Sequence, residues 1–78
     1  MNDLLKRITF DPNIFGGKPI VRGMRMSVEM ILDLLSQGAT IEELLEDYPN
    51  LEADDIRACP AYAKTVVANE DVDVFANA

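Results

Sequence analysis

The spacing of apolar residues changes at residue 27, and this change divides the chain into two parts. Before it, short β-prone runs such as Ile8–Phe10 and Ile20–Met26 alternate with turn clusters rich in glycine, proline and asparagine. After it, apolar residues recur every three or four positions, which is the period of a helix with one buried face. We therefore predict a β ribbon over about residues 7–26, followed by helices in a mostly α fold.

The first two helices have clear start and stop signals. Ser27 is a suitable N-cap for a helix over about 28–37, which Gly38 ends. Thr40 and Glu43 have capping-box spacing at the start of a helix over 41–47, which Pro49 ends.

A third helix is predicted over about residues 53–68. Asp54 and Asp55 suit the positive end of its dipole. Pro60 interrupts the pattern, so the helix is either kinked there or begins later, with the proline in its first turn. The apolar face of this helix is assigned to Ile56, Cys59, Pro60, Ala63 and Val67.

At 78 residues the chain is long enough for one core, which we place in residues 1–68, with an acidic tail over 69–78. A core this small gives only marginal stability, and oligomerisation commonly adds to the stability of such domains. Met30 and Leu34, with Met24 beside them, add apolar surface next to the core face of the first helix. We therefore expect a homodimer or a higher homo-oligomer.

The composition argues against several classes of protein. No apolar run approaches the 18 residues of a membrane span, and residues 1–10 lack a secretory core, so a cytoplasmic location is expected. The chain has one cysteine and no histidine, and Cys59 is expected in the core. Gly16-Gly17-Lys18 lacks the spacing of a phosphate-binding loop and is interpreted as a turn. We predict no catalytic residue, metal or cofactor.

Charge is distributed unevenly along the chain, whose net charge is −7. Residues 1–28 carry five basic and two acidic side chains, whereas residues 29–78 carry two basic and twelve acidic ones. Nucleic-acid affinity depends on neutralising phosphates, so a DNA surface would have to be local. The ribbon offers Lys18, Arg22 and Arg25, although these side chains are as readily explained by pairing with the acids of the helices.

The second and third helices, joined by a short turn at 48–51, have the layout of a helix-turn-helix module. Two short helices joined by a turn are common in small helical domains, however. The third helix would support DNA binding with Arg57 and Lys64, and would oppose it with Glu52, Asp54 and Asp55.

Taken together, several short motifs resemble domain-of-unknown-function family 433. The resemblance covers about residues 7–67 and is carried by Arg7-Ile8-Thr9-Phe10-Asp11-Pro12, Gly16-Gly17-Lys18-Pro19, Arg22-Gly23-Met24-Arg25 and Tyr48-Pro49-Asn50-Leu51. It implies a homeodomain-like three-helix fold. It also implies a small bacterial VapB-type antitoxin of a type II toxin–antitoxin pair, whose partner would be a PIN-like ribonuclease.

The leading hypothesis is a non-enzymatic antitoxin that neutralises such a nuclease, with repression of its own operon through DNA as a further activity. The alternatives are a DNA-binding regulator without a toxin and a homo-oligomeric interaction module. Acids of the tail would mimic phosphates in the nuclease groove, and its apolar residues would anchor the contact, unless the tail is only a loose, solubilising terminus. These partner-binding candidates are Glu70, Asp71, Val72, Asp73, Val74 and Phe75.

Overall fold

The computed structural model describes the backbone of residues 3–76 and the side chains of residues 3–69. As predicted, the described chain is mostly helical, with three α-helices and a two-stranded antiparallel sheet near the N-terminus. The elements are, in order, a 3₁₀ helix at Asp3–Arg7, strand β1 at Ile8–Thr9, a 3₁₀ turn at Phe15–Gly17, strand β2 at Ile20–Val21, and helices α1 at Val28–Ser36, α2 at Ile41–Asp47 and α3 at Ala53–Ala76.

The β ribbon pairs Ile8 with Val21 and Thr9 with Ile20. Ile8, Ile20 and Val21 are all buried, so the ribbon forms one wall of the core. After β2 the chain turns sharply: the Met24 N–H donates to the Val21 carbonyl at 2.8 Å. Arg22 has a positive φ of 43°, a backbone conformation that residues other than glycine seldom adopt. Contacts elsewhere in the fold must therefore stabilise it.

Side-chain caps fix the starts of α1 and α2. Ser27 accepts a hydrogen bond from the Met30 N–H at 3.0 Å. At α2 the predicted capping box is present, because Thr40 accepts from the Glu43 N–H at 3.1 Å while the Glu43 carboxylate accepts from the Thr40 N–H at 2.8 Å. The chain reverses between the two helices at Gly38, whose φ of 98° favours glycine.

Helix α3 differs from its prediction in three ways. It starts at Ala53 and continues through Pro60, so the later-start alternative is wrong. Pro60 is exposed rather than on the core face, as is Val67. The helix also runs on to Ala76 instead of ending near residue 68, so the backbone of the expected tail is helical as far as it is described. The side chains of the tail candidates, Glu70 to Phe75, lie outside the described part.

The core lies where the ribbon, α1 and the first two turns of α3 meet, closed by Leu44 of α2 and by Leu51. Met24 and Leu34 pack against this core and are only partly buried. Met30 is half-buried. Within the described residues, no helix combines the length and the apolar character that crossing a bilayer requires.

Candidate functional site

Among the described side chains, Asp55 is the buried charged one, and a group of charges is centred on it. One carboxylate oxygen, Oδ1, accepts from Nη1 of Arg7 at 2.9 Å and from Nε of Arg22 at 2.8 Å. The other, Oδ2, accepts from Nη2 of Arg22 at 2.7 Å and from the backbone N–H of Glu52 at 2.8 Å. We call Arg7, Arg22 and Asp55 the Asp55 cluster.

Local structure explains why these residues meet. Arg7 precedes β1 and Arg22 follows β2, and the Arg22 N–H donates to the Arg7 carbonyl at 2.8 Å, so the ribbon presents both arginines side by side. Asp55 lies three residues after Glu52, the spacing at which a side chain reaches back to a cap N–H. The Glu52 carboxylate bonds instead to Arg7, at 2.7 Å.

The Asp55 cluster stays ionised. Burial raises the pKa of Asp55, but hydrogen bonds from Arg22, from the Glu52 backbone and from Arg7 outweigh it and lower the pKa to about 2. The hydrogen bonds that Arg7 donates to Glu52 and Asp55 raise the pKa of Arg7, and those that Arg22 donates to Asp55 raise the pKa of Arg22. A further bond from Arg22 to the Asn50 carbonyl, at 3.1 Å, ties the α2–α3 turn to the same group. The cluster therefore joins the ribbon, the turn and α3.

This arrangement corrects one expectation and confirms another. Asp55 faces the core, so it does not oppose phosphates from the surface of α3. Pairing of the ribbon cations with helix acids is confirmed for Arg22 with Asp55, and for Lys18, whose Nζ lies 3.1 Å from Oε1 of Glu29.

The other three DNA-binding candidates are spread over the surface. Arg57 pairs with Asp54 at 3.0 Å. Arg25 and Lys64 make no side-chain hydrogen bond or ion pair with any residue that the structure describes. Arg25 lies beside the α2–α3 turn, to which Arg22 also bonds through the Asn50 carbonyl, whereas Arg57 and Lys64 lie on α3.

Cys59 is a core thiol, as predicted. It is fully buried and its Sγ donates to the Asp55 carbonyl at 3.5 Å. Burial, and then the charge of Asp55, raise the pKa of Cys59 to about 12. A thiol in this state is protonated and shielded, so it is not a nucleophile at neutral pH.

Gly16 and Gly17 form a turn, with φ of 65° and 87°. Lys18, which follows them, is held by Glu29, so the turn interpretation stands. Among the described side chains there is no group of three or more potential metal ligands.

Helix α2 carries a group of exposed acids. Glu42, Glu46 and Asp47 are exposed, and none of them forms an ion pair with a described residue. We call these three residues the acidic face of α2. The capping box and the buried Leu44 hold this helix in place, so the three carboxylates are presented on a fixed support.

The chain is similar to one protein in sequence and to another in structure. The chain is 39% identical over 57 residues to an uncharacterized protein, y4eO, of Sinorhizobium fredii. That match covers 73% of this chain but only 26% of the relative, so the chain spans about a quarter of that protein's length. The structure is similar to the crystal structure of a DUF433 member protein from Anabaena variabilis, with a TM-score of 0.73 and 31% identity. The similarity covers 87% of this chain and 67% of the crystallised one.

The family model described as "Protein of unknown function (DUF433)" matches residues 8–63. These residues include β1, β2, α1, α2 and the buried part of α3, together with two of the three residues of the Asp55 cluster. Because the match extends over well more than half of the chain, the protein belongs to the DUF433 family.

Proposed function

We propose that the protein is a non-catalytic, VapB-type antitoxin that binds and neutralises a PIN-like ribonuclease through the acidic face of α2. One observation carries the proposal: the molecule neutralises most of its described cations internally and leaves a set of acids free. Arg7, Arg22, Lys18 and Arg57 are all paired, whereas Glu42, Glu46 and Asp47 are not.

The charge balance favours a basic partner surface. A ribonuclease must bind a polyanion, so its substrate groove carries positive charge. Three carboxylates on one short, capped helix are complementary in charge to such a groove. They should increase the rate of association with a basic partner and disfavour binding of an acidic one. Blocking the groove needs no chemistry from the antitoxin, which agrees with a buried, protonated Cys59.

DNA binding is the second candidate, and its basis is the expectation that the α2–turn–α3 unit is a homeodomain-like helix-turn-helix. The free cations Arg25 and Lys64 favour it. The exposed carboxylates of Glu52 and Asp54 at the start of α3 oppose it, since phosphates would approach them directly. We therefore propose nuclease binding as the main activity and DNA binding as a secondary one that serves autorepression. A regulator without any toxin remains the alternative.

The test first asks whether the reading frame next to this chain's gene encodes a PIN-like ribonuclease, and then measures how far the purified chain inhibits RNA cleavage by that enzyme. Neutralising the acidic face with Glu42→Gln, Glu46→Gln and Asp47→Asn should weaken inhibition and flatten its salt dependence. The control removes the same charge elsewhere, with Asp3→Asn, Glu29→Gln and Asp33→Asn. Equal inhibition by both triple variants and the wild type would overturn the proposed contact.

The DNA role is tested separately, by titrating a promoter fragment of the chain's own operon at two salt concentrations. Lys18→Ala with Arg25→Ala probes the ribbon, and Arg57→Ala with Lys64→Ala probes α3. Arg22 is left intact because its loss would disturb the Asp55 cluster. We expect the ribbon pair to lower the salt slope by roughly one unit per lost phosphate contact and to weaken binding more. Binding abolished by the α3 pair alone would favour a recognition helix.

A further inference from the structure

A pocket of about 390 Å³, open to solvent, lies between the bend that follows β2 and the α2–α3 turn. We call it the bend–turn pocket. Its volume lies in the range of ligand-binding pockets, so it is large enough to receive a side chain of a partner. Three residues of the bend form one wall, and five consecutive residues of the turn form the other: Met24, Arg25 and Met26, and Asp47, Tyr48, Pro49, Asn50 and Leu51.

Hydrogen bonds on both sides fix the shape of the bend–turn pocket. Nη2 of Arg22 lies 2.7 Å from the buried Asp55 carboxylate and 3.1 Å from the Asn50 carbonyl, so it holds the bend against the turn. Within the turn, the Leu51 N–H donates to the Tyr48 carbonyl at 2.9 Å. Because these contacts already order the backbone, binding in the pocket costs little conformational entropy.

Two opposite charges line the bend–turn pocket and do not pair with each other. Arg25 and Asp47 are both exposed, and the side chain of neither forms a hydrogen bond or an ion pair within the part of the chain that the structure describes. The partly buried side chains of Met24, Met26 and Tyr48 provide apolar surface in the same pocket. This lining is complementary to an apolar group that is flanked by one acid and one base.

The position of Arg25 restricts which protein can bind. Asp47 belongs to the acidic face of α2, so the bend–turn pocket is continuous with the surface that we propose contacts the nuclease. Arg25 repels a surface that is basic throughout, and therefore a partner that fits must present an acid at this point. Specific interfaces commonly combine attraction with a repulsive element of this kind, which disfavours wrong partners.

We propose that the bend–turn pocket selects the nuclease by receiving one of its apolar side chains, between an acid that pairs with Arg25 and a base that pairs with Asp47. Met24 and Met26 can adapt to the shape of the inserted group, and the ring of Tyr48 adds a rigid contact. This inference rests on the proposed function, which names the nuclease as the partner, and adds the chemistry by which that partner is recognised.

Removing the charge of Arg25 tests the inference, because the two models of the contact predict opposite results. If attraction to the acidic face of α2 were sufficient, Arg25→Gln would remove a repulsive cation and lower the inhibition constant for the nuclease. If Arg25 pairs with an acid of the nuclease, the same variant raises that constant, and we expect a rise of roughly tenfold. Lys6→Gln is the matched control, with the same charge change on an exposed lysine outside the pocket, and should not raise it.

The Arg25→Gln variant should keep the wild-type fold, because the Arg25 side chain bonds to no residue that the structure describes. Its circular dichroism spectrum and urea midpoint should therefore be unchanged. A weaker inhibitor with an unchanged urea midpoint has lost a contact with the nuclease and not its own stability.

A bulky side chain at the rim tests the apolar part of the bend–turn pocket. Asn50→Trp introduces a ring that competes with the side chain of the nuclease, while the main-chain carbonyl that bonds to Arg22 is retained. Asn13→Trp is the control, because it is the same substitution at an exposed position outside the pocket. We expect Asn50→Trp to weaken inhibition and Asn13→Trp to leave it unchanged.

The outcomes separate this inference from the function on which it rests. No inhibition by the wild-type chain would overturn the proposed function, and this inference with it. Inhibition that is weakened by neutralising the acidic face of α2, but is unchanged or tighter in Arg25→Gln, would overturn this inference alone. Equal inhibition by Asn50→Trp and Asn13→Trp would do the same. Loss of operator binding by Arg25→Gln with unchanged inhibition would also overturn it, and would assign Arg25 to DNA.

Discussion

The guanidinium of Arg22 forms a bidentate pair with the carboxylate of Asp55, with Nε 2.8 Å from Oδ1 and Nη2 2.7 Å from Oδ2. The carboxylate is fully buried, while the arginine side chain is 38% exposed. The contact joins residues 33 positions apart and explains why Arg22 keeps a positive φ. A two-pronged bond of this kind fixes direction as well as distance, which a lysine could not do.

Removing the Asp55 carboxylate should destabilise the fold. In Asp55→Ala the two arginines lose their shared acceptor and the Glu52 N–H loses its cap. Breaking a buried ion pair in this way costs about 3 kcal/mol or more of the free energy of unfolding, measured by urea denaturation. The control is Asp54→Ala, whose side chain is 51% exposed and bonds to Arg57 on the surface. We expect that control to lose less than about 1 kcal/mol. Equal losses in the two variants would show that the Asp55 cluster is not a stabilising element.

Stability should fall in acid through Asp55. The folded-state pKa of about 2 lies below the unfolded value of 3.8, so below pH 4 the unfolded chain binds a proton more readily than the folded one. The contribution is therefore complete only above about pH 5 and is lost as the pH falls towards 2, a loss of roughly 2 kcal/mol. Urea midpoints measured between pH 2 and pH 6 should show this slope in the wild type. The slope should be shallower in Asp55→Asn; the same slope in both proteins would assign it to other carboxylates.

Cys59 should resist thiol reagents until the protein unfolds. Its pKa of about 12 and its burial keep the thiolate fraction negligible at neutral pH. Labelling with a chromogenic disulfide should be slow in buffer, and fast and stoichiometric in concentrated urea. Asp55→Asn provides the comparison, because it opens the neighbouring part of the core and should speed labelling of the folded chain. Rapid labelling of the native wild type would contradict the buried position.

Truncation after Asn69 should leave the domain folded. Among the described side chains of α3, the buried ones are Asp55, Ile56, Ala58 and Cys59, and the truncation removes none of them. We expect the 1–69 fragment to keep its urea midpoint within the range of ordinary surface changes. If Glu70 to Phe75 contact the nuclease, as their acids and apolar residues suggest, the fragment should inhibit the PIN-like ribonuclease less well. Full inhibition by the fragment would show that the tail is not needed and would favour the acidic face of α2 as the surface that contacts the nuclease.

Much of the fold could be predicted from local signals. Ser27, Thr40 and Glu43 act as caps where their side chains predicted them, since capping involves residues only three positions apart. The position of Pro60 could not be settled in this way. The free-energy cost of Pro60 within α3 is offset by the tertiary packing of the helix before and after the proline. Such packing cannot be deduced from helix propensity.

Pairing of the ribbon cations with helix acids is predicted from the sequence, but Asp55 as the shared, buried acceptor is not, for a similar reason. Asp55 was assigned to the helix dipole, a local role, while its real partners lie 33 and 48 residues away in the sequence. One signal was available: Asp55 precedes the core residue Cys59 by four positions, so both share a face of α3. An acid on a core-facing stripe needs a cation, and the ribbon held several.

The strands of the β ribbon are only two residues long, and this length affects how the protein unfolds locally. So short a hairpin does not persist alone in water. Arg7 and Arg22 attach it to Asp55, and closing such long loops costs chain entropy that is offset only once α3 is in place. The ribbon and α3 therefore gain and lose their structure together. The Arg22 amide, which donates to the Arg7 carbonyl at 2.8 Å, should then exchange with deuterium as slowly as the innermost amides of α3, although it lies at the rim of the sheet.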